Sequence, residues 1–207
     1  DFEKSNDPFI RFAVKTYDER KQIEEAGEEL VGNIQSYRPR YMEALIAYYN
    51  DKNLPVYADA NSTLRITYGN VKGYSPKDGL YAPPFTTLEG IVEKDTGKVP
   101  FDAPKEQLAL IKDKKYGKYK KDDLGTVTVN YLGTLDITGG NSGSPTLNGK
   151  GEFVGLVFDG VYESIIGDWD YDPKLNRSIH VDVRYMLWQM EYVDGATNLI
   201  NEMDIVK

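Results

Sequence analysis

Thr138-Gly139-Gly140-Asn141-Ser142-Gly143-Ser144-Pro145 leads through Thr146-Leu147-Asn148-Gly149-Lys150-Gly151 into the apolar run Phe153-Val154-Gly155-Leu156-Val157. A serine between glycines in a tight turn, followed by an apolar strand, presents its hydroxyl where a substrate can reach it. Attack of that hydroxyl on a peptide carbonyl places negative charge on the carbonyl oxygen. The cheapest preorganised donors for that charge are two backbone N–H groups aimed at one point. Gly140 lets the backbone approach with no side chain in the way, so the N–H groups of Gly140 and Ser142 are the candidate donors. Pro145 has no N–H and suits the first residue of a strand. Ser142 is the candidate nucleophile.

A serine nucleophile needs a base, and the base needs an orienting group. The chain has one histidine, His180. It lies in Arg177-Ser178-Ile179-His180-Val181-Asp182-Val183-Arg184-Tyr185-Met186-Leu187-Trp188, which reads as the start of a terminal helix. A lone histidine in such a place reads as structural before it reads as catalytic. The base is therefore expected outside these residues. The chain opens at Asp1, without methionine or a targeting segment, and reads as a C-terminal fragment of a longer protein.

Outward from the glycine turn, Gly125 to Ile137 reads as a strand running into it and Phe153 to Phe158 as the strand leaving it. Farther upstream the period changes to two from about Tyr57. Ser62 to Tyr74 alternates apolar and polar residues and reads as strands around a Gly69-Asn70 turn. Thr86 to Val92 reads as another strand. Strands in succession without long helices between them predict an antiparallel barrel. The polar stretch 93–123 holds a helix at Lys105 to Lys112. Its Lys/Tyr run, Lys112 to Lys121, is diluted by Asp113, Asp122 and Asp123 and reads as a solvated loop. Asp182 to Met190 forms a closing helix with Val183, Leu187 and Trp188 inward, and a further turn follows near Leu199 to Met203.

Residues 1 to about 50 are helical in pattern. Asn6-Asp7-Pro8 supplies a cap and a proline at a first helical position. Ser36 to Pro39 reads as a break, with Pro39 starting a third helix. The fold class is thus α+β, mainly β, with residues 1–52 helical and 53–207 a barrel with its terminal helix.

Twenty-five basic against 33 acidic residues give a formal charge of -8, which argues against nucleic acid as a general partner. With no cysteine and one histidine, thiolate metal sites and ordinary zinc hydrolysis are excluded; no metal and no cofactor is expected. No apolar run approaches the ~20 residues of a membrane span.

In combination these residues resemble the bacterial serine dipeptidyl-peptidases that include dipeptidyl-peptidases 7 and 11. The likeness rests on Thr138 to Pro145, Gly155-Leu156-Val157-Phe158-Asp159-Gly160, Gly167-Asp168 with Tyr171-Asp172-Pro173, and Arg177 to Trp188. Upstream it takes in Leu64 to Gly69, Val71 to Tyr74 and Thr86 to Gly90.

The resemblance implies a chymotrypsin-like double β-barrel with a helical domain capping the cleft, in a protein about three times this length (a family expectation; length alone gives only a prior on domain number). Residues 1–52 would finish the helical domain. Residues 53–207 would form the second barrel, with Ser142 as nucleophile and Gly140 as oxyanion donor. The triad histidine and aspartate would come from the N-terminal part of the same protein, so the fragment would be inactive alone. Asp159 matches the acid that holds the α-ammonium of a peptide substrate, a task that suits a carboxylate. Gly160 matches the selector of the residue before the cut: arginine there takes an acidic side chain, and glycine leaves an open, uncharged pocket lined by Phe158. The preference implied is hydrophobic. Asn141 stands where trypsin-like enzymes carry an aspartate that pairs with a freed N-terminus. Periplasmic location and a homodimer are the remaining family-level expectations. Without the resemblance, Asp159-Gly160 reads as a hairpin turn, and the alternatives are a chymotrypsin-like endopeptidase or a non-catalytic peptide-binding module.

Overall fold

The computed structural model describes residues 2–54, 56 and 63–206. The chain divides into two compact units, Asp1–Asn61 and Ser62–Lys207.

The first unit is helical. In α1 (Pro8–Lys15), Asp7 caps the first turn, its side chain accepting from the N–H groups of Phe9 and Ile10, and Pro8 fills the first position. That is the expected use of an acid and a proline with no donor to lose. Helix α2 runs unbroken from Tyr17 to Asp51, 35 residues, with Pro39 inside it. The expected break at Ser36 to Pro39 is therefore corrected. A proline removes one intrahelical hydrogen bond, whereas a break leaves up to four carbonyls and four N–H groups to be satisfied elsewhere. Among helix formers such as Glu29, Leu30, Arg40 and Glu43, continuing is the cheaper choice.

The second unit is built on one antiparallel sheet of order β1-β2-β5-β4-β3. The strands are β1 (Phe85–Thr87), β2 (Thr128–Gly133), β3 (Pro145–Leu147), β4 (Phe153–Gly160) and β5 (Ser178–Asp182). Pro145 opens β3 at the sheet's edge, where its missing donor costs no ladder bond. Helices α3 (Leu88–Lys94), α4 (Lys105–Lys112) and α5 (Val183–Trp188) complete the core. Leu88, Ile111, Val127, Leu187 and Trp188 pack there with Tyr116 and Tyr119. Trp188 is wholly buried and its Nε1–H donates to Lys115 O at 2.8 Å.

Four expectations change. Across the described residues helix outweighs strand, 43% against 16%, so the chain is a mixed α and antiparallel β protein rather than mainly β; most of that difference is α2. Thr86 to Val92 is a strand only to Thr87, after which Leu88, Ile91 and Val92 fall on one face of α3 and turn towards the core. The Lys112 to Lys121 run is no solvated loop. Tyr116 and Tyr119 are buried in it, their hydroxyls donating to Glu89 and Glu191, while its lysines carry the charge outward.

The fourth change concerns Ser62 to Tyr74, of which the part through residue 62 lies outside the described residues. Residues 63–70 belong to no strand, and the segment meets the sheet through an isolated bridge from Val71 to Gly133. Its alternation is inside out. Thr67 is half-buried, its hydroxyl accepting from Asp136 N–H, whereas Leu64, Ile66 and Tyr68 stand 84–91% exposed. A period of two fixes which residues share a face, and not that the apolar face finds a core.

Candidate functional site

The turn from Thr138 to Ser144 closes on Asn141. Its side-chain oxygen accepts from Thr138 N–H at 2.9 Å, its own N–H donates to Thr138 O at 3.2 Å, and its carbonyl accepts from Ser144 N–H at 2.9 Å. Gly140 at φ +98° and Gly143 at φ +85° take the left-handed conformations that make the turn this tight. Gly143 N–H and Ser144 O then join the turn to Val157 of β4. The N–H groups of Gly140 and Ser142 have no acceptor among the described residues. They are the two donors singled out in the sequence.

Ser142 is exposed, and its hydroxyl makes one long contact, donating to Phe158 O at 3.4 Å. That oxygen lies where β4 bulges: the register with β5 slips between Val157 and Asp159. The bulge breaks the in-and-out alternation, so Phe158 and Asp159 are both exposed in succession. Asp159 and Gly160 lie within β4, opposite Ile179 and Ser178. They are therefore not a hairpin turn, the reading their composition gives by itself. Asp159 accepts from Gly160 N–H at 2.8 Å through one carboxylate oxygen.

A cavity of about 260 Å³ opens between the turn and the bulge, lined by Ser142, Phe158, Asp159 and Gly160 with Ile137, Val157, Val161, Ser164 and Ile165. The structure thus brings together Ser142, Phe158, Asp159 and Gly160, with Gly140 in the turn beside them. Ser164 and Ile165 are not among the residues singled out in the sequence, because they come from a 3-10 helix, Tyr162–Asp168, that no apolar period announces.

His180 is placed elsewhere. It is fully buried on β5, stacked on Tyr131 with ring centroids 4.8 Å apart. Ser178 Oγ donates to Gly133 O at 3.1 Å, so it accepts from His180 Nε2–H at 2.8 Å, and Nδ1 accepts from Thr146 Oγ1 at 2.7 Å. Both ring nitrogens are engaged, and burial pulls the imidazole pKa down to about 4. His180 is structural. No group of three or more His, Cys, Asp or Glu residues placed to hold a metal occurs among the described residues.

An exposed serine in a glycine turn, with two open backbone donors and an adjoining pocket on an antiparallel sheet, supplies the kind of nucleophile and oxyanion donors that acyl transfer requires, without the base. The family described as Peptidase S46 matches residues 1–205, and the chain belongs to it. An Asp/Glu-specific dipeptidyl-peptidase from Shewanella putrefaciens is 47% identical over all of this chain and 31% of its own length. A dipeptidyl-peptidase 7 from Phocaeicola vulgatus is 39% identical over 97% of this chain and 28% of its own length. The crystal structure of Porphyromonas endodontalis DPP11 in complex with the dipeptide Arg-Asp superposes with a TM-score of 0.85 at 35% identity, covering 97% of this chain and 28% of that one. The chain therefore spans about three-tenths of the length of these relatives.

Proposed function

We propose that this chain is the nucleophile-bearing part of a serine peptidase that releases dipeptides from the N-termini of oligopeptides, with a hydrophobic residue before the cut. The pocket beside Ser142 carries the reading. Five of its lining residues, Ile137, Val157, Phe158, Val161 and Ile165, are apolar, and among the described residues no Lys or Arg lines it. Ser164 Oγ both donates to Arg177 O at 3.2 Å and accepts from Arg177 N–H at 2.8 Å, so its hydrogen is already spent within the protein. The one charge at the rim, Asp159, is negative. It would repel an acidic substrate side chain and attract the α-ammonium group that marks a peptide's N-terminus. Relatives at 36–47% identity carry both kinds of name, Asp/Glu-specific dipeptidyl-peptidase and dipeptidyl-peptidase 7. Overall likeness therefore does not decide the preference, and the support for a hydrophobic residue comes from the pocket's apolar lining.

In this reading Ser142 Oγ leaves its long contact with Phe158 O, gives its proton to a histidine held by an aspartate, and bonds to the scissile carbonyl carbon. The oxyanion is met by the N–H groups of Gly140 and Ser142. Collapse expels the amine with the proton returned by the histidine, and water then releases the dipeptide by the same steps in reverse order. The histidine and aspartate belong to the part of the longer protein outside this chain. Residues 53–207 would form the second half of a double barrel and residues 1–52 part of a helical domain, in a periplasmic protein.

The test is hydrolysis of dipeptide reporters by the longer protein, with leucine or glutamate before the reporter, beside Ser142→Ala. Release from the leucine reporter that is lost in the variant supports the nucleophile and the pocket together. Preferential release from glutamate overturns the hydrophobic preference. Release that survives Ser142→Ala overturns the nucleophile.

A further inference from the structure

Arg177 is 3% exposed, and its guanidinium bonds to main-chain carbonyls of two separate segments. Nε donates to Lys72 O at 3.1 Å and Nη2 to Gly73 O at 3.2 Å; Nη1 donates to Pro173 O at 3.1 Å and Asn176 O at 2.6 Å. The group also lies over the ring of Tyr74, 5.6 Å from its centroid, and the Tyr74 hydroxyl donates to Glu163 at 2.6 Å. Meanwhile the main chain of Arg177 holds the 3-10 turn behind Gly160. Its N–H donates to Ser164 Oγ, and its carbonyl accepts from Ser164 Oγ and from Val161 N–H. A side chain on Gly160 would come within 3.4 Å of Ser164 and 3.7 Å of Arg177 O, so this frame stands directly behind the candidate selector.

We infer that Arg177 is a positioning residue that sets the width of the pocket beside Ser142 by fixing its far wall, residues 161–165. The inference rests on the role proposed for that pocket in holding the residue before the cut. Four carbonyls on two segments match the planar fork of a guanidinium. A lysine ammonium, a point charge with three donors, cannot span them. Replacing it lets the wall move relative to Gly160 without touching Ser142 or the two open N–H groups.

Two measurements test this separately from the reading on which it rests. Hydrogen exchange on the 207-residue chain examines the frame alone. In Arg177→Lys the amides of residues 161–165 should exchange at least about tenfold faster while those of β2 and β5 hold their rates. Unchanged exchange at 161–165 overturns the inference whether or not the protein is a peptidase. In the longer protein, Arg177→Lys should raise KM for a leucine reporter about fivefold and lower its selectivity over an alanine reporter, with kcat within about twofold. A uniform fall in kcat with selectivity intact overturns it. If Arg177→Lys does not fold, Tyr74→Phe removes only the outer tie to Glu163, and it should shift exchange and selectivity the same way by a smaller factor. No shift in that variant counts against the frame.

Discussion

His180 sits, fully buried, between two hydroxyls, and that placement adds an acid-sensitive contribution to the second unit's stability. Its folded pKa of about 4 lies below the ordinary 6.5 of an exposed imidazole, because burial penalises the charged form. The folded state therefore favours the neutral ring. Its contribution is fully present above pH 6.5 and is lost as pH falls from there towards 4, at most on the order of 3 kcal/mol. Urea midpoints taken between pH 7.5 and 4.5 should drop for the native chain and drop less steeply for His180→Gln; equal slopes would assign the acid sensitivity to other groups. The same residue shows what a single position discloses in a sequence. Ser142 was legible because everything that presents it is local: glycines on either side, an Asn141 that folds back three residues to Thr138, and a proline where a strand begins. His180 was legible only as a lone histidine, since its partners Thr146 and Ser178 are set by the register of β3, β4 and β5. Arg177 stood out only as the first residue of a motif and Ser164 not at all, their bonds being mostly to main-chain atoms that any residue possesses.

Strand β4 does more for the site than its apolar composition suggests. A regular strand would alternate, placing Phe158 and Asp159 on opposite faces; the slip in pairing between Val157 and Asp159 puts both in the open beside Ser142. Asp159→Asn keeps the side chain's shape and its hydrogen bond from Gly160 N–H while removing the charge. In the longer protein it should raise KM for a dipeptide reporter with a free amino group by tenfold or more, at little cost to thermal stability, because an exposed carboxylate is lost and no packing. A change in melting temperature with KM untouched would make Asp159 a structural residue of the bulge. Bulges of this kind are invisible to a period of two, as is the inside-out segment 63–70. Elements whose causes are local came through intact. The α4 helix runs Lys105–Lys112 as its pattern indicated, and α1 starts at the Asp7-Pro8 cap. Pro39 misled for the opposite reason, its local cost being smaller than the cost of ending a long helix twice.

On the scale of the whole chain, the two units differ in how they are held. The second has a core closed around Trp188, with Leu88, Val127 and Leu187 buried beside it. Among its described residues the first has none: no residue of α1 or α2 is buried. Along α2, Ile23, Leu30, Ile34, Tyr37, Tyr41 and Tyr48 recur at steps of three, four and seven residues, the spacing of an apolar helix face, yet each is 58–70% exposed. Helices draw most of their stability from burying such a face, and propensity alone leaves them marginal. The 207-residue chain should therefore unfold in two steps. Far-UV ellipticity should begin to fall at low urea as residues 2–54 melt, while Trp188 emission stays constant until a second, steeper transition; Trp169, 89% exposed, adds little change of its own. Coincident transitions by the two probes would mean that the α2 face is covered in the 207-residue chain in solution. Sedimentation at the same concentrations then separates the possibilities. A larger species would place a second copy on that face, and a monomer with coincident transitions would require the face to be buried within the one chain.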